Sequence, residues 1–188
     1  MNDYFQGKKR MKLHRHIYLM GFMGSGKTFL AKKVGQELNI PFYDLDQEIE
    51  KYYKNSIENI FKLKGEKFFR DLETKVLKSL VTYSPGMVSL GGGTPCFNDN
   101  INFLNSDGIT IFIDTPPELI CSRLQKDKNK RPLLSNIKEN PKKLLEFVEY
   151  KLAERKPFYQ QAKFIVQQTL ENQKSTSKDI FDIIKSIS

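Results

Sequence analysis

Eight consecutive residues, Gly21-Phe22-Met23-Gly24-Ser25-Gly26-Lys27-Thr28, constrain this chain more than any other segment. They fit G-x-x-x-x-G-K-[ST], a loop whose backbone N–H groups cradle phosphates. The apolar run Ile17-Tyr18-Leu19-Met20 leads in as a strand, and residues 29–38 lead out with helical character. Strand, glycine loop and helix in that order bring a nest of N–H groups and the positive end of a helix to one point. Glycine removes the Cβ that would hold phosphate oxygens away from the backbone. Lys27 is expected to reach the β- and γ-phosphates, and the Thr28 hydroxyl to coordinate Mg²⁺. By composition alone, about one random chain in 150 of this length would carry the pattern. The flanking strand and helix make coincidence rarer still.

Alternating strand and helix signals continue along the chain. Residues 41–44 read as a short strand. Residues 47–81 read as helical, interrupted near Asn55 and Gly65. Met87-Val88-Ser89-Leu90 reads as a buried strand running into Gly91-Gly92-Gly93. A further strand over 109–113 ends at Asp114, and Pro116 and Pro117 suit the first turn of a helix. A polar stretch follows over 126–140, then a helix over about 141–162 and a last strand over 163–166. Thr176 and Asp179 have the spacing of a capping box for a terminal helix. Short β-branched runs alternating with helices predict a parallel sheet wrapped by helices. Ligands of such sheets bind beyond the carboxyl ends of the strands. The phosphate loop, Asp44 with Asp46, the glycine triplet and Asp114 all fall there. The polar stretch over 126–140 is long for a connection and is expected to be a mobile lid.

Composition narrows the alternatives. At 188 residues the chain is expected to form one domain. No apolar run approaches the ~20 residues of a membrane span, and no signal-peptide core is present. Cys96 and Cys121 are far apart and in no metal-binding pattern, which suits reduced thiols in a cytoplasmic protein. His14 and His16 sit together near the start, so a histidine-based metal site or triad is not expected. The net charge of +9 raises nucleic-acid binding as a question. Much of that charge is local: Lys8, Lys9, Arg10, Lys12 and Arg15 at the start, and Lys126, Lys128, Lys130 and Arg131 in the polar stretch. Positive charge beside a polyanionic nucleotide is expected without any nucleic acid. Residues 1–15 read as a basic tail outside the fold. Within it, Tyr4-Phe5-Gln6-Gly7 resembles the end of a protease recognition site, left by processing or belonging to a native disordered segment.

Five further sites carry candidate chemistry. Asp44 and Asp46 end a strand with one residue between them, so both carboxylates face the same side. One suits the surroundings of a metal, the other a hydrogen bond from a substrate hydroxyl. Asp46 is equally placed to cap the helix that begins at Gln47. Arg70 and Glu73 are i,i+3 neighbours on a helix, so the carboxylate can orient the guanidinium for bidentate capture of a substrate carboxylate, or form a surface ion pair. Gly91-Gly92-Gly93 gives close backbone approach to a ligand, or merely a tight turn. Arg131, in Arg131-Pro132-Leu133-Leu134, suits a lid arginine closing over the transferring phosphoryl group, or a solvated loop arginine. Arg155 precedes Pro157 in a helical pattern, where a kink would aim it inward and a straight helix would leave it exposed.

Taken in order, these features resemble the shikimate kinase family. The likeness runs from Ile17 to Val166. It includes the phosphate loop, Phe42-Tyr43-Asp44-Leu45-Asp46, Ile60-Phe61, Gly65-Glu66 and Phe69-Arg70. It continues through Leu90-Gly91-Gly92-Gly93, Arg131-Pro132-Leu133-Leu134, and Arg155 with Pro157 and Tyr159. The resemblance implies an α/β P-loop fold of the nucleoside-monophosphate-kinase type. Its five-stranded parallel sheet would be flanked by helices, with a substrate-binding region over about 44–81 and a lid over about 126–140, all within a single domain over 16–188. It implies ATP-dependent phosphorylation of the 3-hydroxyl of shikimate, in aromatic amino-acid biosynthesis. Gly24, Ser25, Gly26, Lys27, Thr28 and Phe29 would contact ATP, and Thr28 would bind Mg²⁺. Asp46 would bind the shikimate hydroxyls and serve as base, with Lys27 and Arg131 acting on the phosphates. Arg70 and Arg155 would hold the shikimate carboxylate, and Gly92 would contact substrate through its backbone. Asp44 would support the metal, and Glu73 would orient Arg70. The implied partners are shikimate and ATP, with no nucleic acid and no membrane, in a cytoplasmic monomer.

Two departures from the family pattern stand out. Phe29 follows Thr28 where the family usually has a second hydroxyl. An arginine the family often places seven residues before the lid arginine falls at Leu124, with Arg123 beside it. Rival readings make distinct demands. A gluconate-type kinase would share the loop but need no pair of carboxylate-binding arginines. A GTPase would need a guanine-reading Asn/Thr-Lys-x-Asp at a strand end, and none stands in a suitable place. A nucleic-acid module would depend on the basic first fifteen residues.

Overall fold

The structure, a computed structural model, describes residues 11–127, 134, 137–169 and 175–187. Along the chain come β1 (Ile17–Met20), α1 (Lys27–Leu38), β2 (Phe42–Asp44), α2 (Leu45–Tyr53) and α3 (Ile57–Ser79). Then follow β3 (Met87–Ser89), α4 (Asn100–Asp107), β4 (Ile109–Asp114), α5 (Pro117–Lys126), α6 (Pro141–Tyr159), β5 (Phe164–Gln167) and α7 (Thr176–Ser186). The strands form one parallel sheet in the order β2-β3-β1-β4-β5. Parallel neighbours cannot be joined by hairpins, so helices carry the chain back between strands. β1 is central, with β3 on one side and β4 on the other. The chain leaves its carboxyl end where the strand order reverses, which is where such sheets open a crevice.

Strand side chains alternate between two faces, and both faces are covered. Tyr18 and Met20 pack with Val88 and Phe112 beneath residues of α3, α4, α5 and α6. Ile17 and Leu19 pack with Met87, Ile111 and Ile113 beneath α1 and α7. A strand buried on both sides must be apolar at successive positions, hence Ile-Tyr-Leu-Met in β1. The one polar atom in that run is satisfied: the Tyr18 hydroxyl donates to Asp107 Oδ2, and burial raises its pKa well above the usual phenol range. His16, also buried, is held at Nε2 by the Leu80 carbonyl (2.9 Å) and accepts the Gly86 N–H at Nδ1 (3.3 Å). Its role is structural, at the end of the sheet away from the phosphate loop.

Local chemistry explains most boundaries. Lys54 takes a left-handed conformation (φ 55°) that ends α2, and Ser56 accepts the Asn59 N–H (3.2 Å) to start α3. Gly65 breaks α3 with φ 78° and ψ 173°, a conformation open essentially to glycine alone. Three expectations need revision, and one helix is additional. Asp44, not Asp46, caps α2: its Oδ1 accepts from the Asp46 and Gln47 N–H groups. α6 runs without interruption through Pro157 to Tyr159, close enough to its end that the missing donor costs little. The Thr176–Asp179 capping box does not form, because Ser175 is the N-cap and Thr176 is buried in the first turn. α4 was not legible in its asparagine-rich sequence. Ile101 and Leu104, at i,i+3, anchor it to the core.

Residues 11–15 of the expected tail lie against the fold. The Met11 N–H donates to Leu38 O (3.3 Å), and Met11 and Leu13 pack on the α1–α7 side. No described helix is long and apolar enough to cross a membrane.

Candidate active site

The phosphate loop follows β1 directly. Gly24 (φ 82°) and Gly26 (φ 90°) both occupy the left-handed region that glycine enters freely. Lys27 opens α1 as a buried residue, its Nζ donating to Phe22 O (2.9 Å). The Ser25 hydroxyl is buried with no hydrogen-bond partner among the described residues. Buried polar groups are almost always paired, so an orphan hydroxyl inside a phosphate loop fits a phosphate oxygen as its partner. Thr28 Oγ1 donates to Asp44 Oδ2 (2.9 Å) and lies 3.0 Å from Ser89 Oγ. Three oxygens from the starts or ends of α1, β2 and β3 therefore meet. They are the hard donors Mg²⁺ prefers, and few enough to suit an ion that keeps its waters and takes substrate phosphates. Phe29 is 69% exposed at the start of α1.

Gly91-Gly92-Gly93 forms the wall where the other candidates converge, and each glycine faces a different partner. A Cβ on Gly91 would stand 3.0 Å from Glu73 Oε1 and 3.2 Å from Asp46 Oδ1. One on Gly92 would stand 3.1 Å from the Met23 N of the phosphate loop and 3.5 Å from Arg155 Nη1. One on Gly93 would stand 2.8 Å from Arg70 Nη2. Three bare residues thus let two carboxylates, two guanidinium groups and the phosphate loop crowd around one short segment.

Side chains from α3 and α6 are held in place before any ligand arrives. Glu73, 1% exposed, accepts from Arg70 Nη1 at Oε2 (2.8 Å) and from Thr94 Oγ1 at Oε1 (2.6 Å). Arg70 also pairs with Glu66 (3.1 Å), and its guanidinium lies over the Phe97 ring, 4.2 Å from the centroid. The surface ion-pair reading of Arg70 and Glu73 is thereby set aside, because the acid is buried and fully engaged. Arg155 lies over the Phe22 ring at 5.4 Å. Four residues on, the Tyr159 hydroxyl donates to Gly92 O, fixing the triplet to α6. Burial raises the Tyr159 phenol well above its usual range, so it stays a donor.

With Asp44 occupied in capping, Asp46 turns its carboxylate towards the glycine wall. By surface area Asp46 is exposed, yet protein atoms stand close around its carboxylate, Glu73 and the glycine wall among them. That desolvation is the larger cause, and the Asp44 and Glu73 carboxylates the next, of a pKa raised to about 6; Lys27 opposes them. A carboxylate poised there is ionised at neutral pH and still able to take a proton. Cys96, next to the same wall, is a thiol pushed up to about 11 by burial, against the pull of Arg155 and Arg70.

The structure thus brings together Gly24, Ser25, Gly26, Lys27 and Thr28 in one loop, and Asp46, Arg70, Gly92 and Arg155 around one wall. Arg131 lies outside the described residues, as does most of the expected lid. Sequence reading passed over Phe97, Thr94, Ser89 and Gln168. Thr94, next to the triplet, and Ser89, in the strand that runs into it, lay beside a recognisable signal.

A phosphate loop at the carboxyl ends of a 2-3-1-4-5 parallel sheet, with a charged acceptor wall beside it, defines the class: a P-loop kinase fold of the nucleoside-monophosphate-kinase type. Comparison with known proteins narrows this. The family profile described as "Shikimate kinase" matches residues 23–187. The shikimate kinase of Bacteroides fragilis is 42% identical over 149 residues, covering 79% of this chain and 82% of the relative. That of Aquifex aeolicus is 42% identical over 146 residues, covering 78% and 82%. The crystal structure of shikimate kinase from Bacteroides thetaiotaomicron superposes with a TM-score of 0.84 at 35% identity, covering 91% of this chain and 98% of that one. The shikimate kinase of Acinetobacter baumannii in complex with shikimate gives 0.79 at 34% identity, covering 93% and 94%. The chain belongs to the shikimate kinase family.

Proposed function

We propose that this protein transfers the γ-phosphoryl group of ATP to the 3-hydroxyl of shikimate, giving shikimate 3-phosphate and ADP for aromatic amino-acid biosynthesis. The observation that carries this reading is the convergence of Arg70, Arg155 and Asp46 on three consecutive glycines beside the phosphate loop. Two guanidinium groups suit a carboxylate, and a carboxylate of raised pKa suits a hydroxyl.

In this reading the loop N–H groups and Lys27 hold the phosphates, with the Ser25 hydroxyl as a further partner. Thr28 and Asp44 hold Mg²⁺, which would neutralise charge on the β- and γ-phosphates. Arg70, braced by Glu73 and Phe97, and Arg155 grip the carboxylate of shikimate and fix its ring. Asp46 accepts the proton of the 3-hydroxyl as the new O–P bond forms and the bond to the β-phosphate oxygen breaks. Arg131 lies on a lid over 126–140 that closes on the phosphates and keeps water from competing as acceptor. Residues 44–81 form the substrate-binding region of a single domain over 16–188. The protein acts as a cytoplasmic monomer without nucleic acid or membrane.

The test is ADP release by the purified protein with ATP and Mg²⁺, comparing shikimate, gluconate and nucleoside monophosphates as acceptors. Shikimate alone should support rapid turnover. Equal or better rates with gluconate or a nucleoside monophosphate would replace this reading with a rival kinase.

A further inference from the structure

The phosphate loop has an external brace that its own sequence does not reveal. Arg123, on α5, donates from Nη1 to two loop carbonyls, Gly24 O (3.1 Å) and Ser25 O (3.0 Å). The same nitrogen reaches Gln168 Oε1 (3.0 Å). Gln168 is buried just beyond β5. Its backbone N–H donates to Asp114 O (2.8 Å), and its Oε1 also accepts from Thr115 Oγ1 (3.2 Å). The ends of β4 and β5 therefore hold Gln168, Gln168 holds Arg123, and Arg123 holds the loop. Leu124 completes the contact from the same helix: a Cβ on Gly24 would meet its side chain at 3.2 Å.

The loop needs such a brace. Gly24 and Gly26 flank Ser25, and glycine accepts either sign of φ at little cost. The Ser25–Gly26 peptide turns about ψ of Ser25 and φ of Gly26, and at Gly26 that turn meets little resistance. A trans peptide points its N–H opposite its carbonyl. With Ser25 O drawn to Arg123, the Gly26 N–H points the other way, into the nest that the helix start completes. A flipped peptide would present a carbonyl oxygen to a phosphate instead. The neighbouring peptide is held at both ends, since the Ser25 N–H donates to Phe22 O (3.2 Å) while Gly24 O is bound to Arg123.

We infer that Arg123, aligned by Gln168, is a positioning residue that locks the Ser25–Gly26 peptide with its N–H towards the phosphates. The inference rests on reading residues 21–28 as a phosphate loop. It concerns the phosphate end of the nucleotide, so a ligand without base or ribose should sense it.

The experiment measures the Kd of Mg²⁺–tripolyphosphate and of Mg²⁺–ATP by calorimetry, for the full-length protein and for Arg123→Met, Arg123→Lys and Gln168→Met. Measurable tripolyphosphate binding by the unaltered protein tests the phosphate-loop reading separately. Arg123→Met should weaken both ligands by the same factor, about tenfold. Arg123→Lys should lose most of that factor too, since the lysine nitrogen ends one bond short of Nη1, the atom that makes all three contacts. Gln168→Met, which removes only the acceptor that aligns Arg123, should lose a smaller factor on both ligands. Apparent Tm without ligand and KM for shikimate should stay within error for Arg123→Lys. That separates positioning from general loss of structure. Unchanged tripolyphosphate affinity in Arg123→Met, or full retention in Arg123→Lys, would overturn the inference. If Gln168→Met fails to fold, the two Arg123 variants decide the matter alone.

Discussion

The guanidinium of Arg70 occupies the space a side chain at Gly93 would fill: a Cβ there would lie 2.8 Å from Nη2 and 2.9 Å from Nη1. Gly93 has φ −99° and ψ −14°, a conformation any residue adopts. Glycine is needed for room, not for backbone freedom.

Gly93→Ala should therefore displace a flexible side-chain end and leave the fold intact. KM for shikimate should rise about tenfold with KM for ATP nearly unchanged, and Tm should fall less than with a backbone clash at Gly108. Gly108→Ala is the contrasting case, because its Cβ would meet the backbone His16 O at 2.5 Å and the Tyr18 ring at 2.6 Å. That variant should lose about 1–3 kcal/mol of stability through overpacking. Thermal melts and steady-state kinetics on both proteins check the distinction.

Arg70→Ala removes one of two proposed carboxylate ligands and strands the buried Glu73 carboxylate, retaining only its Thr94 bond. KM for shikimate should rise about 10–100-fold, the worth of a charged hydrogen-bond pair, while KM for ATP moves little. Glu73→Gln keeps the shape and the Thr94 contact but removes the charge that orients Arg70. It should show a smaller rise in the same parameter. Unchanged shikimate kinetics in Arg70→Ala would refute the clamp.

Asp46, with its pKa raised to about 6, sets an acid limb. Below about pH 6 it is protonated and cannot accept the shikimate proton, so kcat/KM should fall as pH drops through that value. Asp46→Asn should cut kcat by 10²–10⁴-fold, the usual range for a general base, while ATP still binds. The stability sign follows from the same shift. A carboxyl whose folded pKa lies above its unfolded value favours the fold below the unfolded value, near 3.8. That advantage is lost as pH rises through about 6. At pH 8 Asp46→Asn should be more stable than the parent, by about 1 kcal/mol after discounting for the open side of the carboxylate. Near-normal turnover in this variant would leave Asp46 no catalytic role.

Phe29 stands 69% exposed beside the phosphate loop, so its replacement disturbs no packing. Phe29→Thr restores a hydroxyl next to Thr28 and should lower KM for ATP about 2–10-fold, the net worth of one added hydrogen bond. KM for shikimate and Tm should not change. A higher KM for ATP would show that the ring itself helps hold the nucleotide.

Some of the site was legible because the chemistry lies in contiguous residues. A phosphate loop is one strand end, one run of glycines and one helix start, so Gly21 through Thr28 announce themselves. Arg70 with Glu73 was legible as a helical pair, though its burial was not. Asp44 and Asp46 were legible as a pair with their roles open. Which one caps α2 depends on the strand-to-helix turn, and the cap fell to Asp44, leaving Asp46 to face the wall. Arg123 and Gln168 lie 45 positions apart and meet only because β4 and β5 pair and α5 packs over their ends. No local pattern marks that meeting.

By itself the amino-acid sequence determined the alternating strands and helices, the phosphate-binding turn and the set of charged groups available to a substrate. Each of these depends on neighbours within a few residues, through periodicity, glycine freedom and capping. Tertiary structure alone decided what those groups face. Parallel strand pairing set Gly91, Gly92 and Gly93 against residues of α2, α3, α6 and the phosphate loop at once. Partial desolvation by those neighbours, followed by the Asp44 and Glu73 carboxylates, gave Asp46 its raised proton affinity.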